Sequence, residues 1–290
     1  MSEISVVLAT FNEEENLAIC LESIKNIADE IIVVDGSSTD KTIEVAKKFG
    51  AKVVKTDNPP IFHINKQKAL NLATKDWILQ LDADERVTKE LASEIKKTVL
   101  MSTEEIEDYQ KRLKEKNLFL RHQGIIEKRD GVIGTKEGEY SAFFVARLNY
   151  FLGKYLRYGG VYPDGVIRLV RKGKAFFPCK SVHEQIVIKG KVGWLQNPLV
   201  HISDPSFKRY LKRNWRYSSL IANELKDQKT GFNPFVTVNY LLILPVRWFF
   251  LTYFRHKGFL DLWQGFIFSF FSSLRFPTGY IKYIYKEVRS

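Results

Sequence analysis

Four short strand-like runs, each followed by polar residues, constrain the first hundred residues most. Ile4 to Leu8, Ile31 to Val34, Lys52 to Lys55 and Trp77 to Leu81 read as strands, three of them apolar enough to be buried. Between them Leu17, Cys20, Leu21 and Ile24 recur at helical spacing. Ile43, Ala46 and Phe49 do the same, with Gly50 as a stop, and Asn65 to Ala73 is also helical. Asn12 is expected to cap the first helix, with Glu15 near a capping-box position, and the second is expected to run from Ser38 to Phe49. Strands alternating with helices imply parallel strands joined by right-handed crossovers. Such sheets bind ligands beyond the carboxyl ends of their strands. Three polar clusters fall there: Thr10-Phe11-Asn12, Asp35-Gly36-Ser37 and Asp82-Ala83-Asp84.

The remainder changes character twice. Thr88 to about Lys116 reads as charged helix, with Ser102 and Glu105 placed to restart it. From Ser141 to Ile188 the pattern turns to strands, at Phe143 to Val145, Val166 to Val170 and Gln185 to Ile188. Ser206 to Lys226 reads as a basic amphipathic helix. Phe235 to Phe254 is nearly long enough to span a bilayer, but it contains Asn239, Pro245 and Arg247. A second apolar stretch, Gly258 to Phe276, holds Asp261, Gln264 and Arg275. Mixed segments of this kind suit helices lying in a membrane interface; the plainer alternative is a helical pair packed on the globular part.

Charge separates along the same line. Residues 1–150 carry 22 Lys/Arg and 26 Asp/Glu, a net −4; residues 151–290 carry 23 and 7, a net +16. The basic half calls for an anionic neighbour. Cys20 and Cys179 lack ligand spacing, so neither a disulfide framework nor a zinc site is expected. The apolar run ending at Ala9 is too short for a secretory signal, so none is expected.

Asp82 and Asp84 lead the chemical candidates. Two carboxylates one residue apart after a buried strand can address one divalent ion, or an ion and a sugar together. The structural alternative is an acidic turn capping the helix that starts at Thr88. Asp35 can accept hydrogen bonds from a base or ribose, or simply shape a helix-capping turn. Lys66 can meet a phosphate as a point charge, or be a solvated lysine. Glu184, after His183, can take a proton from an attacking hydroxyl, or be half of a surface His-Glu pair. Asp164 is a rival base, although Pro163-Asp164-Gly165 is also an ordinary turn sequence. His201 reads as a distal metal ligand or as a satisfied core histidine.

The stretches Ile4 to Glu13, Ile31 to Asp40 and Trp77 to Glu85 resemble family 2 glycosyltransferases of the GT-A fold in residues, order and spacing. Asn149 to Gly153, Tyr162 to Asp164 with Arg168-Leu169, Val182 to Glu184, and Gly258 to Asp261 with Gly265-Phe266 are similar to the lipopolysaccharide core β-glucosyltransferase branch. The resemblance implies donor contacts at Thr10, Glu13, Asp35, Lys66 and Asp82, with Mg²⁺ or Mn²⁺ on Asp84. It also implies inversion by a single displacement, with Glu184 best matching the base and Asp164 the other candidate. Two departures stand out. Many members have Asp-Asp-Gly-Ser where this chain has Val34-Asp35-Gly36-Ser37. The Gln-X-X-Arg-Trp of processive synthases has Leu244 in place of Gln, ahead of Arg247-Trp248.

The resulting expectation is an α/β chain with a GT-A, Rossmann-like mixed sheet flanked by helices and a C-terminal amphipathic helical tail that associates with membrane. Residues 1–205 form the transferase domain, with a nucleotide-sugar half (1–100) and an acceptor half (140–205); residues 206–290 form the tail. The expected reaction moves a hexose, glucose from a UDP-sugar first among them, onto a lipid-attached glycan at the cytoplasmic face of the inner membrane. An anionic membrane surface is the expected partner, and nucleic acid is not. The other readings are a nucleotidyltransferase, which usually has an early Gly-rich phosphate loop that is absent between Leu8 and Asn16, and a nucleic-acid binder suggested by the basic half.

Overall fold

A computed structural model of the chain describes residues 2–180, 185–228, 230–231 and 233–289, with side chains as far as Tyr285. By internal contacts it divides into two compact units, Met1–Arg147 with Pro163–His201, and Leu148–Tyr162 with Ile202–Ser290.

In the first unit β1 (Ile4–Thr10), β2 (Glu30–Asp35), β3 (Lys52–Lys55) and β4 (Trp77–Leu81) are parallel, in the order β3-β2-β1-β4. The helices α1 (Glu14–Ile24), α2 (Thr42–Lys48) and α3 (His63–Leu72) connect them. β1 and β4 are buried along nearly their whole length, which is why they read as mainly apolar runs, with Ser5 and Gln80 as their buried polar members. Leu17, Cys20, Leu21 and Ile24 of α1 pack into the core against Val6, Leu8 and Leu79.

The sheet becomes mixed beyond β4. After β5 (Glu85–Val87) come three helices: α4 (Lys89–Thr98), α5 (Thr103–Lys111) and α6 (Lys116–Asp130). The expected restart at Ser102 is present as a full capping box with Glu105. β6 (Tyr140–Phe151) and, after the short β7 (Lys154–Leu156), β8 (Asp164–Arg171) follow; β8 runs antiparallel to both β4 and β6. Ala175–Phe176 and Val187–Ile188 form a separate two-stranded ribbon as β9 and β10. β11 (Lys191–Trp194) joins β6, and β12 (Leu199–Asp204) lies antiparallel to β5. Trp194 stacks between Phe119 and Phe144, each ring 4.6 Å away. Gly165 is small for that reason: a Cβ there would stand 2.3 Å from the Trp194 ring.

Two local expectations change. Asn12 does not cap α1. It sits at φ 54°, and its Oδ1 accepts from Thr39 N at 2.9 Å, tying the β1 end to the β2 end. The second helix starts at Thr42 rather than Ser38, because Ser38 bonds back to Asp35 through both its backbone and its hydroxyl.

In the second unit β6 and β7 form a hairpin across Leu152-Gly153, both with positive φ, as a two-residue turn requires. The helix α7 (Phe207–Asp227) begins at Ser206, whose side chain accepts from Arg209 N. It packs on the helix Arg275–Arg289 through Ala222, Leu225, Tyr280 and Tyr283. Lys282 fastens the pair, donating to Trp215 O and to the Ser218 and Ser219 hydroxyls at 2.7–2.9 Å.

The helix Pro234–Arg255 is the one among the described residues that is long and apolar enough to cross a membrane. It includes two π turns, Asn239–Ile243 and Leu251–Arg255. Phe235, Val238, Leu242, Val246, Phe250 and Phe254 lie exposed along it, the last five at intervals of four. Elsewhere on this helix Trp248 Nε1 donates to Ser272 Oγ at 3.0 Å, and Phe249 packs edge-on against Phe266.

Candidate active site

The site is built at the end of β4. Asp82 O accepts from Glu85 N at 3.0 Å, closing a turn, and Asp82 N donates to Glu85 Oε2 at 3.0 Å, locking it. The Asp-Ala-Asp triplet therefore stands on a braced corner between β4 and β5. It does not cap the following helix: Thr88 does that, its hydroxyl accepting from Leu91 N.

Arg168 governs the charge balance. The β4–β8 register that pairs Leu79 with Leu169 brings Arg168 beside Gln80. Its Nη1 donates to Gln80 Oε1 at 2.5 Å, and its Nη2 reaches Asp82 Oδ2 and Glu85 Oε1, each at 2.6 Å. Lys66, carried in from α3, lies 2.5 Å from Asp82 Oδ1. Arg147 extends the network, 3.7 Å from Glu85 Oε1 and 2.8 Å from Asp164 Oδ2. The result is one chain of alternating charge: Lys66, Asp82, Arg168, Glu85, Arg147, Asp164. Burial alone would raise the Asp82 carboxyl, but Arg168 and Lys66 hold it well below the usual carboxylate range. Burial lowers the Lys66 ammonium despite its partner Asp82. The Cys20 thiol behind the turn is pushed up to about 12 by burial, so it is an inert thiol.

Thr10 and Asp35 meet in the neighbouring strands, where β1 and β2 end in register. Thr10 Oγ1 donates to Asp35 Oδ2 at 2.9 Å, and Ser38 supplies two further bonds to the same carboxylate. Asp35 is fully buried by these partners. Glu13, just before α1, accepts from Asn16 Nδ2 at 2.9 Å.

Asp84 and His201 are brought together by strand pairing. β12 aligns His201 with Glu85, and His201 Nε2 stands 3.5 Å from Asp84 Oδ2. One carboxylate and one imidazole fit part of the coordination sphere of a divalent cation. Among the described residues no group of three or more His, Cys, Asp or Glu side chains is gathered to hold an ion. Such a pair suits a cation whose other positions come from substrate phosphate and water.

Lys66 is thus a buried ion-pair partner and not a solvated lysine. Asp164 is the first residue of β8 and is ion-paired, rather than the tip of a turn. Glu184 and His183 lie outside the described residues. Sequence reasoning missed Arg168, Glu85, Arg147 and His122. The last, lowered by burial, accepts from Gly165 N at 3.0 Å beside Asp164. A signal existed for Arg168, one charge inside an apolar strand, which needs an anionic partner when buried.

Residues 5–149 match the family described as Glycosyl transferase family 2. The chain belongs to that family, and its fold is GT-A. A Rickettsia typhi protein described as an uncharacterized glycosyltransferase is 28% identical over 92% of this chain and 82% of its own length. The lipopolysaccharide core biosynthesis glycosyltransferase LpsC of Rhizobium meliloti is 26% identical over 94% of this chain and 91% of its own. A structure of glucosyl-3-phosphoglycerate synthase from Mycobacterium tuberculosis with Mn²⁺ and UDP-glucose is 30% identical over 29% of this chain, with a TM-score of 0.27; this chain spans about a third (34%) of that one. Family membership decides for glycosyl transfer over nucleotidyl transfer.

Replacing Arg168 by Met leaves Asp82 and Glu85 without their shared cation and is expected to cost about 3–5 kcal/mol of stability at neutral pH in urea denaturation. The sign with pH follows from Asp82. Its folded pKa lies below the unfolded value of about 3.9, so the ion-pair stabilisation is complete above about pH 4 and is lost as pH falls through the depressed value. The stability gap between wild type and variant should therefore close below pH 4; a constant gap down to pH 2 would contradict the assignment.

Proposed function

We propose that this chain is an inverting, metal-dependent glycosyltransferase that moves a hexose from a UDP-sugar, glucose first among them, onto a lipid-attached glycan such as the lipopolysaccharide core. The observation that carries the reading is the braced corner after β4, where Lys66 meets Asp82 and His201 meets Asp84. The name of the full-length Rhizobium relative supports the acceptor class.

In this reading Asp84 and His201 hold Mg²⁺ or Mn²⁺, which supplies charge neutralisation for the departing nucleoside diphosphate. Lys66 adds a positive point charge on the same side, and Arg168 keeps Asp82 ionised and oriented toward the donor sugar. Glu13 would meet the nucleotide end, which the buried Thr10–Asp35 pair would shape rather than line. The acceptor oxygen attacks the anomeric carbon as the bond to the diphosphate oxygen breaks, and a carboxylate receives the hydroxyl proton. Asp164 is poorly suited to that step, because Arg147 at 2.8 Å stabilises its ionised form and weakens it as a base. Glu184 is the proposed base.

UDP release from UDP-glucose with Mn²⁺ should fall at least about 100-fold in Asp84→Ala and be abolished by chelation, with the circular dichroism spectrum unchanged. Transfer should fall in Glu184→Gln more than in Asp164→Asn. The reverse order would move the base to Asp164, and full activity in Asp84→Ala would remove the metal role.

The second unit supports attachment to a membrane surface as a monotopic protein; the cytoplasmic face is the side on which this reading places it, because the proposed donor is a UDP-sugar. The helix Pro234–Arg255 is about 33 Å long at 1.5 Å per residue, enough to span. Its middle, however, carries Arg247 and has the Arg275 guanidinium stacked on Trp248 at 4.1 Å. A guanidinium at the bilayer centre costs about 2.5–3.5 kcal/mol or more. Lying in the interface buries the exposed Val238-Leu242-Val246-Phe250-Phe254 stripe while both arginines reach headgroups. The full chain should float with vesicles containing phosphatidylglycerol, and Phe250→Asp with Phe254→Asp should reduce the floated fraction severalfold. Wild-type chain remaining at the bottom of the gradient would refute the attachment.

A further inference from the structure

The Gly258-Phe259-Leu260-Asp261 motif has no place in the donor chemistry, yet it is among the most constrained segments of the second unit. It forms a single 3₁₀ turn bracketed by Lys257 and Leu262, both non-glycine residues with φ near +60°. Such conformations are held only where surroundings enforce them. A Cβ on Gly258 would stand 2.8 Å from Thr252 O, and one on Gly265 would stand 1.8 Å from Gly258 O. The two glycines therefore permit a close approach that no other residue allows.

Close packing delivers Asp261. Its position precedes the helix Leu262–Ser273, where an aspartate ordinarily caps, but its side chain makes no cap bond. The buried carboxylate turns to another segment instead: Oδ2 accepts from Arg157 N at 3.0 Å and Tyr158 N at 2.8 Å. Lys154 Nζ lies 3.7 Å from its other oxygen, and Gly159 N donates to His256 O at 2.9 Å. Gly159 and Gly160 both have positive φ. A single carboxylate thus fixes the backbone of the segment that follows β7. That segment holds the Arg157 guanidinium against the Tyr162 ring at 5.1 Å, with Arg157 and Tyr158 exposed, and in sequence it runs two residues later into Asp164.

We propose that Leu156–Tyr162 is an acceptor subsite for a phosphorylated saccharide, with Arg157 and Tyr158 as the recognising side chains and Asp261 as the positioning residue. The inference deepens the transferase reading and rests on it for the word acceptor. An exposed guanidinium stacked on the Tyr162 ring, with the exposed Tyr158 next to it in sequence, matches an anionic sugar: the fork would meet phosphate oxygens and the Tyr158 phenol would donate to a neighbouring oxygen. An anionic carboxylate left in the same place serves recognition only because its charge is consumed by two backbone N–H groups and Lys154.

The test is binding of the full chain to micelles of lipid A, a phosphorylated disaccharide lipid, and to micelles of its dephosphorylated form. Wild type should prefer the phosphorylated form, and both Arg157→Ala and Asp261→Asn should lose about tenfold of that preference. The sign for Asp261→Asn is decisive, because the substitution makes a basic protein more positive, and bulk attraction alone would tighten binding to the phosphorylated micelle. Arg157→Ala, at an exposed position, keeps the test open if Asp261→Asn does not fold. Preference unchanged in either folded variant, tighter binding by Asp261→Asn, or no preference in wild type would overturn the proposal. So would an equal loss by Arg157→Ala on phosphatidylglycerol vesicles, which would make the segment a reader of membrane charge. UDP release by wild type, measured alongside, tests the transferase reading separately.

Discussion

The candidate site depends on one buried guanidinium. Arg168 touches Gln80, Asp82 and Glu85, and so it decides whether the corner after β4 can exist as it does. Two carboxylates that share a turn repel each other unless a cation stands between them. Burying a charge without a partner costs several kcal/mol, whereas alternating charges from Lys66 to Asp164 leave each with an opposite neighbour. The network spends its binding on orientation. Asp82 is held by partners on both oxygens, and the turn that carries it leaves Asp84 next to His201.

Much of this frame was legible in the sequence, for a physical reason. Parallel strands buried on both faces are mostly apolar, so Ile4 to Leu8 and Trp77 to Leu81 announce themselves, and ligand residues are expected beyond their ends. What pattern reading missed depends on contacts between residues distant in sequence. Arg168 looks like an interruption of an apolar run until the β4–β8 register places it beside Gln80. His201 remains ambiguous between core and ligand until β12 is known to lie against β5. Asn12 has the residue type of a helix cap, but its side chain is engaged 27 residues away at Thr39. In each case contacts between residues distant in sequence decided what the local pattern left open. Glu184 stays a matter of resemblance, since it lies outside the described residues.

The second unit follows a different logic. Its exposed surface includes the apolar stripe of Pro234–Arg255, while several of its polar groups are engaged internally: Ser218 and Ser219 by Lys282, Ser272 by Trp248, Asp261 by the segment at Arg157. A soluble chain gains nothing from leaving such a stripe in water, while a surface-bound one buries it without moving arginines through hydrocarbon. The charge asymmetry, +16 over the last 140 residues, points the same way.

The central claim is that the β4 corner holds a divalent cation jointly with a nucleoside diphosphate. Electron paramagnetic resonance of free Mn²⁺ tests it most directly, titrating the full chain into Mn²⁺ with UDP present and absent. The account predicts that protein plus UDP removes about one Mn²⁺ per chain from the free signal, far more than protein or UDP alone, and that His201→Ala weakens this uptake. A free signal no lower with both than expected from UDP alone would contradict it.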